Sequence, residues 1–325
     1  MPTITYREAI RQALREEMQR DEEVFLLGED IAEFGGSYKV TVGLVDEFGH
    51  ERVRNTPLAE NAIVGCALGA ALAGMRPVPE IMYIDFTACC LDQIVNEMAK
   101  SKYMFGGKAR TAVTVRTQGG SGRASAAQHA QSLESWFTHT PGIYVVMPST
   151  PYDAKGLLKT CIRDDNPIMF IEHKLLYNSK GEVPEEEYLI PLGKADVKRE
   201  GSDVTLITYS RGVEWSLAAA EELSKENINV EVIDLRSLKP LDEECFLESV
   251  VKTGRAVIVH EACKTSGFGA ELTAIINEKA FDFLDAPVER AAGLDIPTPF
   301  NPELEAMTIP TVDSIKAAVK KTLNS

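Results

Sequence analysis

Residues 204–235 read VTLITYSRGVEWSLAAAEELSKENINVEVIDL, one strand–helix–strand unit. Val204–Thr208 and Val230–Leu235 are short β-branched runs bounded by turns, which read as buried strands, and Val213–Lys225 between them carries a helical pattern. The alternation continues towards the C-terminus. Strands are expected at Ala256–His260 and Val288–Ala292, so successive strands begin about 26 to 32 residues apart. Helices are expected at Asp242–Lys252, Gly267–Lys279 and, after Pro310, Val312–Leu323. That spacing leaves room for crossover helices, the signature of a parallel sheet covered on both faces.

Working outward, the first half repeats the theme less regularly. Strands are expected at Val24–Leu27, Ala112–Arg116, Ile143–Met147 and Ile168–Ile171, with helices at Glu60–Gly74, Thr87–Lys102, Ser125–Phe137 and Pro151–Arg163. The polar stretch from Tyr177 to Asp203, with Gly181, Pro184, Pro191 and Gly201, reads as a linker in which Tyr188–Ile190 adds a short edge strand. A chain of 325 residues suits two cores. The expected architecture is α/β with two domains, each a mostly parallel sheet flanked by helices, spanning 1–178 and 202–325 around a linker at 179–201.

Composition narrows the function by exclusion. With 34 Lys+Arg against 49 Asp+Glu the net charge is −15, which disfavours nucleic acid and anionic membrane surfaces as partners. Met1–Glu23 mixes both charge signs around an apolar helical stripe (Tyr6, Ala9, Ile10, Ala13, Leu14, Met18) and reads as an ordinary surface helix rather than a secretory signal or transit peptide. The nearly apolar run Ala62–Met75 is too short to span a bilayer. None of the six cysteines has C-x-x-C spacing, so they read as reduced, mostly buried residues of a cytoplasmic protein. The P-loop, the Rossmann glycine fingerprint, the hydrolase elbow and the H-x-x-x-H zinc pattern are all absent.

Three segments carry chemistry at apparent depth. Asn55-Thr56-Pro57-Leu58-Ala59-Glu60-Asn61 places Glu60 at the start of a helix rich in Gly and Ala. Either Glu60 simply complements the helix dipole, or it lies beside a packed interface where desolvation favours its protonated form. Met82, Ile84 and Phe86 alternate as a core face would, and Asp92, Gln93 and Asn96 follow on a helix. A glycine loop, Gly119-Gly120-Ser121-Gly122, leads to Gln128-His129-Ala130-Gln131-Ser132, expected on a helix. That loop is either an anion cradle or a plain turn, and His129 is the best acid/base candidate in the chain.

In order and over essentially the full length, these segments resemble the β subunit of the E1 component of 2-oxo acid dehydrogenase complexes, relatives of the transketolases. The matching motifs are Thr56-Pro57-x-x-Glu60, Asp92-Gln93-x-x-Asn96, Gln128-His129-x-Gln131-Ser132, Pro151-Tyr152-Asp153-Ala154-Lys155-Gly156-Leu157, Arg163-Asp164-Asp165-Asn166-Pro167, Asp234-Leu235-Arg236-Ser237-Leu238-x-Pro240-Leu241-Asp242 and Asp295-Ile296-Pro297-Thr298-Pro299. The resemblance implies a thiamine diphosphate pyrimidine-binding domain followed by a transketolase C-terminal-like domain. It implies an α₂β₂ heterotetramer whose α chain holds Mg²⁺ and the diphosphate through a G-D-G…N-N motif, absent from this chain. Glu60 would bond N1′ of the pyrimidine, favouring the imino tautomer that deprotonates thiazolium C2. Met82 and Phe86 match positions packed on that ring, and His129 a histidine that assists proton transfer or lipoyl acylation. Val113, Cys161, Ile162, Asp164 and Asn166 fall where some members bind a structural K⁺, with Cys161 departing from the commoner alanine. The implied reaction is decarboxylation of a 2-oxo acid such as pyruvate and reductive acylation of the lipoyl group of an E2 acyltransferase. An acetoin-cleaving sibling shares the pattern, and a non-catalytic assembly subunit is the rival from another class.

Overall fold

The computed structural model describes residues 1–325. It divides into two compact units: Met1–Gly119 with Trp136–Leu192, and Gly120–Ser135 with Gly193–Ser325. Both are parallel sheets flanked by helices, as the strand–helix alternation requires.

In the first unit the parallel strands lie in the order Tyr144–Val146, Ile168–His173, Thr114–Gly119, Arg76–Ile81, Val24–Gly28, Val53–Asn55. Helix Tyr6–Arg20 starts with a capping box, Thr5 and Glu8 exchanging side-chain and backbone bonds. It packs on helix Pro151–Arg163, and together their apolar sides cover Val24, Leu26, Val78, Val146 and Phe170 of the sheet.

Sequence patterning missed Arg76–Ile81, because Pro77 and Pro79 argue against an interior strand. The register explains how the sheet accommodates them. Arg76 donates its N–H to Glu23 on the Val24–Gly28 side, so the nitrogens of Pro77 and Pro79 face the other neighbour. That neighbour, Thr114–Gly119, pairs only from Glu80 onward, so neither proline breaks a ladder bond.

Two expected helices are corrected. Residues 84–104 turn continuously, but as a tight 3₁₀ segment, Ile84–Cys90, then a widened turn, Gln93–Met98, and a short helix, Ala99–Met104. Met82, Ile84 and Phe86 therefore do not alternate along a strand, which ends at Ile81. The helix expected over Ser125–Phe137 is confined to Glu134–Thr138. Ala124 (φ 51°) and Ala126 (φ 64°) adopt left-handed backbone, which stops a right-handed helix.

The second unit orders its strands Glu289–Gly293, Ala256–Cys263, Val204–Thr208, Val230–Asp234, Asp196–Arg199. All pair in parallel except Asp196–Arg199, an antiparallel edge strand within the stretch read as linker. Tyr188–Ile190 forms no strand; the Tyr188 ring stacks on Tyr152 at 4.6 Å instead. That stretch holds a second short antiparallel strand, Lys180–Glu182, paired with Thr3–Thr5.

Candidate functional site

Ligands of parallel α/β sheets sit beyond the carboxyl ends of the strands. In the first unit those ends present Glu29 after Val24–Gly28, Thr56 after Val53–Asn55, and Met82 after Arg76–Ile81. Glu60 opens the next helix, Glu60–Leu72, which packs against the 84–90 segment carrying Phe86. Glu60 is half-buried, and so are Met82 and Phe86, whereas Ile84 is 1% exposed. The two side chains expected beside a ligand are thus accessible, and the one between them is core.

Charge around Glu60 is arranged unevenly. Arg116, fully buried, donates from Nη1 to Glu80 at 2.7 Å and from Nε and Nη2 to Glu172 at 2.6 and 2.8 Å. Glu80 and Glu172 are therefore compensated. Glu29 is not. Burial, followed by the like charges of Glu60, Asp30 and Glu80, pushes its carboxyl up to about 7. Its Oε1 is buried without a partner, as are Oγ1 of Thr56 and Oε1 of Gln93. A desolvated carboxyl of the kind the sequence suggested for this edge is found at Glu29. Its environment depends on distant residues, so no local pattern marks it. Asp92 and Asn96 bond each other at 2.7 Å on an exposed surface.

Val113, Cys161, Ile162, Asp164 and Asn166 also come together. The Arg76 guanidinium donates from Nη1 to the carbonyls of Ile162 and Asp164 at 2.9 and 3.0 Å. The Val113 carbonyl accepts from Ile168, that of Cys161 from Asp164, and the Asp164 carboxylate from Asn166. No cluster of three or more His, Cys, Asp or Glu side chains with metal-ligand geometry exists in the chain.

His129 belongs to the second unit, on the loop that replaces the expected helix. The loop closes on itself: Gly120 N–H donates to Gln131 at 3.0 Å, and Ser121 Oγ to Ala130 at 3.2 Å. His129 is half-buried, its carbonyl accepting from Ser125 Oγ at 3.1 Å. Alongside lies a cavity of about 650 Å³ lined by Gln128, Gln131, Ser132, Glu261, Cys263 and Asp295 among others.

Residues 2–180 match the family model of the transketolase pyrimidine-binding domain, and residues 193–315 that of the transketolase C-terminal domain. The chain is 46% identical to the 2-oxoisovalerate dehydrogenase subunit beta of Bacillus subtilis (strain 168), over 99% of both chains. It is 47% identical to the pyruvate dehydrogenase E1 component subunit beta of Rickettsia felis, over 98% of both. The chain belongs to the E1 β subunits of the 2-oxo acid dehydrogenases.

The acetoin:2,6-dichlorophenolindophenol oxidoreductase subunit beta of Bacillus subtilis is equally similar, 47% identical over 96% of this chain and 95% of that one. As an E1 β chain, then, the protein is an oxidoreductase subunit in a family with more than one substrate. A split-gene transketolase, solved as an inactive β₄ tetramer, shares the fold with a TM-score of 0.83 over 99% of both chains at 23% identity. The carboxyl edge holding Glu29, Glu60 and Met82 is part of the E1 β pyrimidine-binding domain. No helix is long and apolar enough to cross a membrane, and all six cysteines are free.

Proposed function

We propose that this chain supplies the pyrimidine half of a thiamine diphosphate site in an α₂β₂ E1 enzyme of the cytoplasm, with Mg²⁺ and the diphosphate on the α chain. The domain division at 1–178, 179–201 and 202–325 is part of the proposal, the second domain serving assembly. The enzyme decarboxylates a 2-oxo acid of the pyruvate type and reductively acylates the lipoyl group of an E2 partner. The observation that carries this is Glu60: a carboxyl at the carboxyl edge of the sheet, on the helix packed against the Phe86 segment.

The residues present fit a flat ring with polar edges. Met82 and Phe86 offer half-buried apolar surface, and unpartnered buried oxygens of Glu29, Thr56 and Gln93 offer polar contacts. When bound, the cofactor supplies a carbon nucleophile. Glu60 holds a proton at N1′ of its pyrimidine, Met82 and Phe86 orient the ring, and His129 moves a proton at the reacting centre or during lipoyl acylation. Glu60→Gln should abolish turnover of the reconstituted tetramer while leaving assembly intact. Activity near that of the parent chain would remove the assignment.

The surface supports a partner. Tyr103, Met104 and Phe105 are 87%, 76% and 60% exposed, and Leu58 is 82% exposed. A K⁺ ion on the Val113, Cys161, Ile162, Asp164 and Asn166 set is part of the same proposal. The unfolding midpoint should then be higher in K⁺ than in Na⁺ at equal ionic strength, and equal midpoints would dispose of it.

Acetoin cleavage is the second reading, favoured by Met104-Phe105-Gly106-Gly107-Lys108-Ala109 and by the similarity to an acetoin-oxidising relative. Reconstituted enzyme assayed with pyruvate, branched 2-oxo acids and acetoin separates the two. A non-catalytic assembly subunit would leave the thiamine diphosphate affinity and activity of the α chain unchanged.

A further inference from the structure

The loop that carries His129 has a backbone that should not hold itself. Gly120 and Gly122 have φ values of 89° and 101°, and two alanines, Ala124 and Ala126, also sit in the left-handed region. A residue with a Cβ is disfavoured there, and such strain persists only where surroundings over-determine it. The alternating backbone turns successive N–H groups to one side, forming a concave donor set that suits an anion.

Two carboxylates of the same unit fill that role. Glu305 accepts from Gly122 N–H at 2.8 Å through Oε1 and from Ala124 N–H at 2.7 Å through Oε2. Glu261, on strand Ala256–Cys263, accepts from Ser121 N–H. Glu305 lies on the short helix Pro302–Ala306 and is 2% exposed, although Leu304 beside it and Met307 at the helix's C-terminal cap are 53% and 70% exposed. That helix is itself fixed, with Asn301 capping the amides of Glu303 and Leu304. Hydrogen bonds from amides to ionised carboxylates are about twice as strong as neutral ones.

The fastening reaches His129 through the loop. The half at 121–124 is tied to the carboxylates, and the half at 130–131 is tied to 120–121. His129 lies just before that closure, its N–H bonded to the carbonyl of left-handed Ala126 at 3.3 Å. We infer that Glu305, with Glu261, is a positioning residue that holds the glycine loop so that His129 is presented to the reaction. The inference rests on the part assigned to His129 under the proposed function.

The test uses the assembled α/β enzyme bearing Glu305→Ala or Glu305→Gln, with His129→Ala as reference. It follows amide hydrogen exchange over 119–131 together with kcat and KM for the best substrate. Glu305→Ala should speed exchange of the loop amides about tenfold. It should lower kcat about tenfold to a hundredfold, with KM within about threefold of the parent value. Glu305→Gln should fall between, since its amide oxygen still accepts one bond. Unchanged exchange in Glu305→Ala overturns the fastening, and faster exchange with kcat retained overturns the positioning. Full activity in His129→Ala removes the part assigned to the histidine and, with it, the purpose of the clamp. Exchange, read without turnover, separates that failure from a failure of the fastening itself.

Discussion

Arg116 shows how one residue sets the character of the carboxyl edge. A buried guanidinium is costly unless every charge near it is paired, and here two glutamates flank it, Glu80 and Glu172. Tyr177 also donates to Glu172, completing its acceptors. The pairing removes Glu80 and Glu172 from the set of groups free to act, leaving Glu29 and Glu60 as the uncompensated pair. Replacing Arg116 with Leu would strand two carboxylates in the core. The expected loss is about 3–5 kcal/mol, the range for breaking a buried ion pair from one side, measured by denaturant unfolding of the isolated chain. A loss under about 1 kcal/mol, typical of exposed pairs, would mean that the cluster is hydrated and that Glu80 remains available.

At the scale of elements, helix Glu60–Leu72 buries one side and leaves another unusually small. Ile63, Val64, Ala67, Leu68 and Ala71 are buried, while Ala62, Cys66, Gly69 and Leu72 are exposed. A Cβ at Gly69 would meet nothing within 4 Å in this chain. Gly69→Leu should therefore fold, with helicity at least as high as the parent, because glycine is a poor helix former. If the proposed tetramer packs a partner against this face, the variant should fail to assemble with the α chain on size exclusion. Normal assembly would place the interface elsewhere.

Elements also show what the sequence could and could not reveal. Val204–Thr208 and Val312–Leu323 were legible to the residue because β-branched runs and helical stripes are local signals. Arg76–Ile81 was hidden by two prolines whose harmlessness depends on where a neighbouring strand begins to pair. The 120–133 loop was hidden because Ala124 and Ala126 look like helix formers, and only the distant Glu305 carboxylate, which accepts from Ala124 N–H, shows why the segment is held otherwise. Gly267 and Gly269 stand at the start of the expected helix Gly267–Lys279 with no visible purpose. In the structure they border the His260 ring, where a Cβ would lie 2.7 or 2.5 Å from ring atoms.

For the whole molecule, the two compact units carry buried titrating groups of opposite sign, so pH should act on them in opposite directions. Glu29, in the first, has its pKa raised from 4.5 to about 7. Between those values the folded chain keeps a proton that the unfolded chain releases, so this stability contribution is present at low pH and is lost as pH rises towards about 7. His260, in the second, is fully buried with both ring nitrogens unpartnered, and burial, aided by Arg290, holds it down at about 4. The unfolded chain takes up a proton that the folded one refuses, so stability is present above about 6.5 and is lost as pH falls towards 4, by about 3 kcal/mol in all. Each group can be removed separately. Glu29→Gln should raise the urea midpoint at about pH 8 and leave it unchanged at about pH 4. His260→Leu, which removes the titrating ring, should flatten the acid limb and leave the alkaline limb alone. If either substitution flattened both limbs, or the wrong one, the pH response would belong to other groups, and the uncompensated state of Glu29 beside Glu60 would lose its support.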